Sequence, residues 1–240
     1  MEKEITLLRP PDLNREHFEN IYTHSPDPYN YETSSYERSK YERTIEVLTH
    51  RPYHRALEAG CSIGVFTAML APLCDELIAV DISEKAVVVA RERLANFRHV
   101  RIERRTLPEE TPEGPFDLIV ASEILYYLPI DIVAVALQRF ERVLAPGGVL
   151  LAVHWRGSWR RRIVEKIRPL FLRHWILKNR PSAGDEVHEK FSLGDEIHEL
   201  LSKHTCLTNR VSLVEPRYRL DLFENKKHEG CPNLLRPSTS

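Results

Sequence analysis

Between Arg55 and Trp155, short apolar runs alternate along the chain with segments whose apolar residues recur at helical spacing. In chain order, the predicted strands are 56–59, 76–80, 99–107, 116–122 and 149–155, and the predicted helices are 65–73, 84–96 and 130–145. Apolar strands separated by helices of about 10 to 15 residues are typical of parallel sheets that carry helices on both faces. The pattern therefore predicts an α/β protein with a doubly wound, mostly parallel sheet.

Two further strands, 208–215 and 218–224, lie on either side of Pro216 and are predicted to form a late antiparallel pair. In a doubly wound sheet, ligands bind beyond the carboxyl ends of the strands, where the strand order switches. The residues expected along that edge are Gly60, Asp81, Thr106, Ser122 and His154.

The bulk composition excludes several classes of function. The chain has 240 residues, 42% of them hydrophobic, and a formal net charge of −1, so it lacks the positive field of a nucleic-acid-binding protein. Its four cysteines show neither C-x-x-C spacing nor the density of a disulfide framework, and the first residues contain no apolar run like that of a secretion signal. We expect a reduced, cytoplasmic protein with no metal site and no nucleic-acid partner.

A turn with two glycines, GCSIG (60–64), joins the first predicted strand to the first predicted helix. A dinucleotide fingerprint would place glycine where Ser62 stands, and a phosphate-binding loop would end in G-K-[ST], which is absent. The pattern is instead E-x-G-x-x-x-G, beginning at Glu58. Asp81 follows Gly60 by 21 residues, close to the roughly 20 expected for an acid that binds ribose hydroxyls. The turn disfavours a dehydrogenase and indicates a different nucleoside ligand.

Together with FDLIVASE (116–123) and LAPGGVLLAVHW (144–155), these motifs resemble those of class I S-adenosylmethionine-dependent methyltransferases over about residues 55–155. The resemblance implies a Rossmann-like fold and S-adenosyl-L-methionine as the cofactor. In that family the glycine turn packs on the methionine part, the acid takes both ribose hydroxyls, and residues after strand three contact the adenine. The implied cofactor-binding residues are Gly60, Cys61, Ser62, Gly64, Asp81, Ile82, Thr106, Leu107 and Ser122. The family usually has an aspartate near position 106, where this chain offers only a hydroxyl.

A narrower resemblance is to nodulation-protein-S-like N-methyltransferases. The segments that carry it are DPYNYETSSYERSKYERT (27–44), LEAGCSIGVFT (57–67), SEILYYL (122–128), AVHWRG (152–157) and GDEIHELL (194–201). Those enzymes methylate an amine on an aminosugar oligomer, so the resemblance implies a small polar acceptor of that kind. It also implies that Tyr36, Lys40 and Tyr41 lie on an N-terminal helix that covers the cofactor. The alternative for this helix is an amphipathic lid with exposed charge.

Methyl transfer from a sulfonium is an in-line displacement, and an amine acceptor must be neutral, which a carboxylate or an imidazole can arrange. The predicted catalytic residues at the expected edge are Glu123, His154 and His198. His198 is chosen because GDEVHE (184–189) and GDEIHE (194–199) are near-duplicates, and only the second leads directly into the late strands. The alternative is that both copies are helix starts capped by aspartate, with histidines exposed to solvent.

The segment 157–193 is an unusual insert between the fifth strand and the next helix. From Arg156 to Arg180 the chain holds nine lysines or arginines and one acid, and apolar residues recur every four positions from Trp159 to Trp175. This pattern predicts a basic amphipathic helix that caps the acceptor site. Contact of 157–180 with a membrane surface is a less favoured alternative.

The sequence thus predicts one methyltransferase domain over 1–225, followed by a flexible tail over 226–240. Within it, 1–50 forms lid helices, 51–156 the cofactor-binding core, 157–193 the helical cap, and 194–225 the last helix and strands. The expected activity is N-methylation of an aminosugar or similar amine. An O- or carboxyl-methyltransferase of a natural product, and a cofactor-binding scaffold without turnover, remain alternatives, and the sequence leaves monomer and dimer open.

Overall fold

The computed structural model describes residues 15–156, 194–203 and 206–226, which form one sheet with helices packed around it. The strands are β1 (Tyr53–Ala59), β2 (Cys74–Asp81), β3 (Val100–Arg104), β4 (Phe116–Ser122), β5 (Leu144–Trp155), β6 (Leu207–Val214) and β7 (Tyr218–Asn225). The helices are α1 (Arg15–His24), α2 (Ser35–Leu48), α3 (Val65–Leu70), α4 (Glu84–Arg93), α5 (Ile130–Val143) and α6 (Gly194–Ser202), with short 3-10 turns at Ala71–Leu73 and Leu125–Tyr127. The predicted cap over 157–193 lies outside the described residues, as does nearly all of the predicted tail.

The sheet has the strand order β3-β2-β1-β4-β5-β7-β6. All pairs from β3 to β5 are parallel, whereas β7 runs antiparallel to both β5 and β6. This confirms the predicted doubly wound α/β sheet with a late antiparallel pair. The order reverses between β1 and β4, so the carboxyl ends of these two strands flank the place where such folds bind ligands.

Strand β4 shows why the predicted strands read as continuous apolar runs. Its alternate residues enter opposite faces of the sheet, so that Ile119 and Ala121 pack in one core cluster and Leu118 and Val120 in another. All four residues are fully buried. A strand covered on both faces has no polar side, which is the reason the sequence shows no alternation here.

The fifth strand begins earlier than predicted, at Leu144 instead of 149. Leu144 pairs with Phe116, and the register then shifts before Leu118 pairs with Val149. A Cβ on Gly148 would lie 3.0 Å from the carbonyl oxygen of Phe116, so glycine allows the backbone to approach β4 there. The Pro-Gly-Gly segment at 146–148, which lies between the predicted helix and the predicted strand, is therefore an irregular start of β5.

Helix α1 lies over the carboxyl edge of the sheet and is fixed to α4. The Glu19 carboxylate accepts hydrogen bonds from the Glu84 amide at 2.7 Å and from the Ser83 hydroxyl at 3.1 Å. Burial raises the pKa of Glu19, but these hydrogen bonds outweigh it, and the net pKa is below the ordinary value. A carboxylate at a helix N-terminus is favoured by the helix dipole.

The described helices include none that is long and apolar enough to cross a membrane. Among the described cysteines, Cys61 and Cys74 are free and buried, whereas Cys206 is disulfide-bonded. The disulfide differs from the expectation of reduced thiols, because the spacing of cysteines along a chain does not determine which of them meet in the fold.

Gly64 should contribute to stability through its contact with α4. It has a φ of +77°, and a Cβ there would lie 2.9 Å from Leu94 and 3.1 Å from the Cβ of Ala90. We expect Gly64→Ala to lower the free energy of unfolding by about 2–4 kcal/mol, the sum of backbone strain and crowding. Urea unfolding measures this difference.

Gly147→Ala is the matched control, because Gly147 has a φ of +71° and nothing within 4 Å of the added Cβ. This variant should lose only about 1 kcal/mol, from backbone strain. Equal losses in the two variants would show that contact with α4 is not what requires glycine at position 64.

Candidate functional site

A pocket opens at the carboxyl edge of the sheet, at the strand-order switch. Its floor is formed by the first glycine of the turn and by the ends of β2 and β4, and α1 covers it with the rings of Phe18 and Tyr22. Phe18 packs edge-on against Tyr127, with ring centroids 5.4 Å apart, and the Tyr22 hydroxyl lies 2.5 Å from Ser62 Oγ. The N-terminal helix is therefore part of the pocket wall.

The glycine turn is held to the end of β2 by backbone hydrogen bonds. The amides of Gly60 and Cys61 both donate to the carbonyl of Val80, at 2.8 and 2.9 Å. Gly60 has a φ of +79°, and a Cβ there would lie 2.9 Å from Ile124. The turn requires glycine at this position both for its backbone conformation and for its approach to the segment after β4.

Asp81 lies at one end of the pocket and joins the two loops that border it. Its carboxylate accepts hydrogen bonds from the Ser62 amide at 2.8 Å and the Ser83 amide at 3.0 Å. Burial raises the pKa of Asp81, and these amides only partly oppose the shift. The Ile82 amide is a third donor, and because a carboxylate has about four acceptor sites, the group can still accept a hydrogen bond from a ligand.

Glu58 lies at the other end, where a second part of the pocket passes beneath Tyr31, Tyr41 and Phe66. Both parts share residues of the glycine turn and of the end of β4, so they adjoin. Burial raises the pKa of Glu58 to about 7, the Thr67 hydroxyl opposes the shift and the charge of Asp81 adds to it. Among the described residues, Glu58 Oε2 has no hydrogen-bond partner.

Glu123 occupies the end of β4, between the two acids, and has an unusual backbone conformation with a φ of +58°. Lys40 Nζ donates to Glu123 Oε1 at 2.6 Å and also lies 2.6 Å from Glu37 Oε2. Glu123 Oε2 accepts hydrogen bonds from the Tyr126 hydroxyl and, at 3.3 Å, from the Trp155 amide. Lys40, Tyr126 and the Trp155 amide therefore hold this carboxylate at the pocket surface.

His154 and His198 are fully buried and bond to each other, with His154 Nδ1 3.3 Å from His198 Nε2. His198 Nδ1 lies 2.7 Å from Asp221 Oδ2, and the Leu125 amide donates to His154 Nε2 at 3.3 Å. Burial raises the pKa of Asp221, but its hydrogen bonds with His198 and Ser212 and the charges of His198 and Arg219 bring the net pKa below the ordinary value.

Several of the predicted site residues line the pocket. The main part is lined by Gly60, Ser62, Asp81, Ile82, Leu107, Ser122 and Glu123, and the part beneath the tyrosines also by Cys61 and Tyr41. The structure thus brings together residues from the turn, from the ends of β2 and β4, and from α2, as the parallel topology predicts.

The other predicted cofactor contacts lie away from the described pocket. Gly64 faces α4, and the Lys40 ammonium is buried between two carboxylates. Tyr36 packs against Arg217, 3.7 Å from its ring centroid, on the side of β7. The Thr106 amide donates to Glu110 at 2.5 Å, whereas its neighbours Arg105 and Leu107 line the pocket. These side chains are not among those that line the described pocket, because side-chain direction alternates along an extended segment and a helix presents only one face to it.

The two histidines lie in the protein interior. The described residues that line the pocket do not include His154 or His198. Asp195 lies in the first turn of α6 and bonds to Arg156 Nε at 3.1 Å. His198 is buried, so the alternative of a histidine exposed to solvent is wrong for this copy, and His188 lies outside the described residues.

Sequence reasoning missed the aromatic residues that α1 and the following segment contribute, namely Phe18, Tyr22, Tyr29 and Tyr31. The spacing of Phe18 and Tyr22 places them on one face of a helix, and this was the available signal. Nothing in the local pattern showed that this face would meet the glycine turn.

The fold is shared with solved structures. The N-methyltransferase NodS from Bradyrhizobium japonicum WM9, crystallised with S-adenosyl-L-homocysteine, superposes with a TM-score of 0.69 at 22% identity, over 89% of this chain and 100% of that one. The protein therefore has the class I methyltransferase fold, as the sequence predicted.

The family model described as nodulation protein S (NodS) matches residues 13–170, and the chain belongs to this family. Nodulation protein S of Sinorhizobium fredii (strain NBRC 101917 / NGR234) is 30% identical over 139 residues, which are 57% of this chain and 64% of that protein. Its counterpart in Rhizobium tropici is 38% identical over 105 residues, 43% of this chain and 44% of that protein. The chain thus spans between 44% and 64% of the length of these relatives.

The raised pKa of Glu58 predicts a pH-dependent stability. The folded-state pKa is about 7 and the ordinary value is 4.5, so the unfolded chain loses this proton first as the pH rises. Stability should therefore fall between about pH 4.5 and pH 7, by about 3 kcal/mol in all, since each pKa unit corresponds to about 1.4 kcal/mol. Urea unfolding at several pH values measures the slope.

Glu58→Gln keeps the shape of the side chain and removes the titrating group. The difference in unfolding free energy between this variant and the wild type should grow by about 3 kcal/mol from about pH 4.5 to pH 7.5, in favour of the variant. A difference that stays constant across this range would show that Glu58 ionises at its ordinary pKa in the folded protein.

Proposed function

We propose that the protein is an S-adenosyl-L-methionine-dependent methyltransferase that acts on the amine of an aminosugar or a similar small polar acceptor. The observation that carries the proposal is a pair of adjoining cavities that share Glu123, the one also lined by Asp81 and the other by Glu58. Membership of the nodulation protein S family and the N-methyltransferase named among its solved relatives support the same activity.

The residues present fit this cofactor. Asp81 is a buried carboxylate at the pocket wall, a hydrogen-bond acceptor of the kind that ribose hydroxyls require. Glu58 offers a buried oxygen without a described partner, which suits the ammonium group at the methionine end. The apolar wall formed by Ile82, Leu107 and Leu128 suits the adenine ring. Thus the two polar ends and the apolar side of the pocket match the corresponding parts of the ligand.

The bound cofactor supplies an electrophilic methyl group on a sulfonium, and the chain's contribution is to hold the acceptor in line with it. Because the acceptor nitrogen must attack with its free lone pair, it has to be neutral and correctly oriented. Glu123 lines the pocket with a carboxylate held in place by Lys40 and Tyr126, and it can orient an N–H of the acceptor. The rings of α1 exclude water from the same space.

Asp81→Asn should weaken the binding of S-adenosyl-L-homocysteine at least about tenfold. A hydrogen bond to a charged group contributes about 1.5–3 kcal/mol, and the amide both loses the charge and replaces one acceptor oxygen by a donor. Isothermal titration calorimetry measures the dissociation constant.

Asp117→Asn is the matched control for this measurement. Asp117 also accepts two backbone amides, those of His54 at 2.8 Å and Arg55 at 3.0 Å, but it lies at the opposite end of the sheet. The affinity of the Asp117→Asn variant for S-adenosyl-L-homocysteine should stay within about twofold of the wild type. A wild type that does not bind this compound, or an Asp81→Asn variant that binds it equally well, would contradict the assignment of the pocket.

The acceptor class is tested with a glucosamine oligomer that carries one free amine and with the same oligomer fully N-acetylated. Transfer of a labelled methyl group should occur to the first and fall at least about tenfold for the second, because acetylation removes the nucleophilic lone pair. Equal labelling of both would indicate transfer to oxygen. Tight cofactor binding without transfer to these oligomers or to a panel of carboxylic acids and phenols would favour a scaffold.

A further inference from the structure

A buried chain of polar side chains runs from the last strand of the sheet to the pocket wall. It starts at Arg219 and Asp221 on β7, where Arg219 Nε lies 2.9 Å from Asp221 Oδ2, and continues through His198 on α6 to His154 on β5. It ends at the backbone amide of Leu125, in the turn that follows β4. Asp221, His198 and His154 are all fully buried.

The hydrogen-bond partners fix the proton positions in this chain. The Leu125 amide can only donate, so His154 Nε2 must be the acceptor, and the proton of the neutral ring is on Nδ1. His154 Nδ1–H then donates to His198 Nε2, which leaves the His198 proton on Nδ1, where the Asp221 carboxylate accepts it. A charged His198 would need Nε2–H, which would face the Nδ1–H of His154. Asp221 therefore selects the tautomer of both rings in their neutral forms, which are the forms that the hydrogen bond from Leu125 requires.

Polar and charged groups on the neighbouring elements face these hydrogen-bonded side chains. The ring of Tyr126 lies edge-on to His154 at 5.5 Å between centroids, and the Tyr126 hydroxyl donates to Glu123. On β6, Ser212 hydrogen-bonds to Asp221, and on β7 the charge of Arg219 lies beside it. The side chain of Arg156 is paired with Asp195. The charge of Arg219 beside it favours an ionised Asp221.

The Leu125 amide lies in the segment that carries Glu123 to the pocket. The Glu123 amide donates to the Val153 carbonyl at 2.7 Å, and the Tyr127 amide donates to the Ile124 carbonyl at 3.0 Å, which closes the 3-10 turn. Between these two bonds, the hydrogen bond from Leu125 to His154 ties the middle of the turn to β5. The backbone of Glu123 has a φ of +58°, a conformation that persists only where the surroundings hold it.

We propose that Asp221, His198 and His154 are positioning residues that hold the turn after β4 through the Leu125 amide, and so fix the carboxylate of Glu123 for the acceptor. This role replaces direct participation of the two histidines in proton transfer. Strand β7 thereby influences the pocket through hydrogen bonds that pass by way of α6 and β5. The effect on methyl transfer rests on the proposed function, whereas the hydrogen-bond chain does not.

The proton positions can be measured in the wild type alone. Long-range ¹H–¹⁵N NMR of the histidine side chains at about pH 7 should show His154 and His198 neutral, each with its proton on Nδ1. An imidazolium at either residue, or a His154 proton on Nε2, would overturn the proposal without any reference to enzymatic activity.

Two substitutions of His154 separate its two hydrogen bonds. In His154→Gln, the amide oxygen can take the place of Nε2 and still accept from Leu125. In His154→Asn, the amide nitrogen can take the place of Nδ1 and bond to His198, but nothing accepts the Leu125 amide. Hydrogen exchange of the Leu125 amide should be at least about tenfold faster in the Asn variant than in the Gln variant, with the rate in the Gln variant close to the wild type.

Methyl transfer to the glucosamine oligomer should follow the same order, with kcat/KM at least about tenfold lower in His154→Asn and within about threefold of the wild type in His154→Gln. A general base would lose activity in both variants equally, so equal losses would overturn the positioning role. Equal Leu125 exchange in both variants would also overturn it. A wild type that binds S-adenosyl-L-homocysteine but transfers no methyl group would count against the proposed function, and NMR and exchange would still decide the hydrogen-bond chain.

Discussion

Lys40 carries a positive charge into the interior, where its side chain is 1% exposed and its ammonium lies 2.6 Å from each of two carboxylates. Removing such an ion from water costs several kcal/mol, which only close and complete pairing offsets. Glu37 comes from the same helix, but Glu123 is 83 residues away in the chain. The pairing therefore holds helix α2 against the end of β4 and places Glu123 at the pocket. Helix α2 and the sheet are joined at the position where the proposed reaction takes place.

The pocket that results is rich in acidic groups. The single charge of Lys40 balances only one of the two carboxylates beside it, those of Glu37 and Glu123. Asp81 and Glu58 line the two adjoining parts of the pocket. Burial raises the pKa of both these acids, which means that ionising them is costly in the absence of a ligand. A ligand with positive charge at one end would relieve that cost at Glu58, and hydroxyl donors would relieve it at Asp81. If the proposed function holds, the cost of burying these two acids favours a ligand whose polar groups match them.

Much of the fold could be predicted because it depends on local patterns. The bounds of β4, 116–122, agree with the continuous apolar run, and Asp81 ends β2 as its position after the run predicts. Predictions were poorer where a backbone contact between distant segments decides the outcome. The Pro-Gly-Gly segment enters β5 because Gly148 can approach β4, and no local pattern reports that approach.

The sequence by itself determined that the sheet is mostly parallel, where the glycine turn lies and which residues stand at the ends of the strands. These features follow from the alternation of apolar strands and helices along the chain. Only the tertiary structure decided which of those polar residues face the pocket. Glu123 reaches it, whereas His154, also near the end of a parallel strand, turns inward to His198 and Asp221. The physical reason is that a buried polar group must find a partner, and the partners of Lys40 and His154 come from segments that approach each other only in the folded chain.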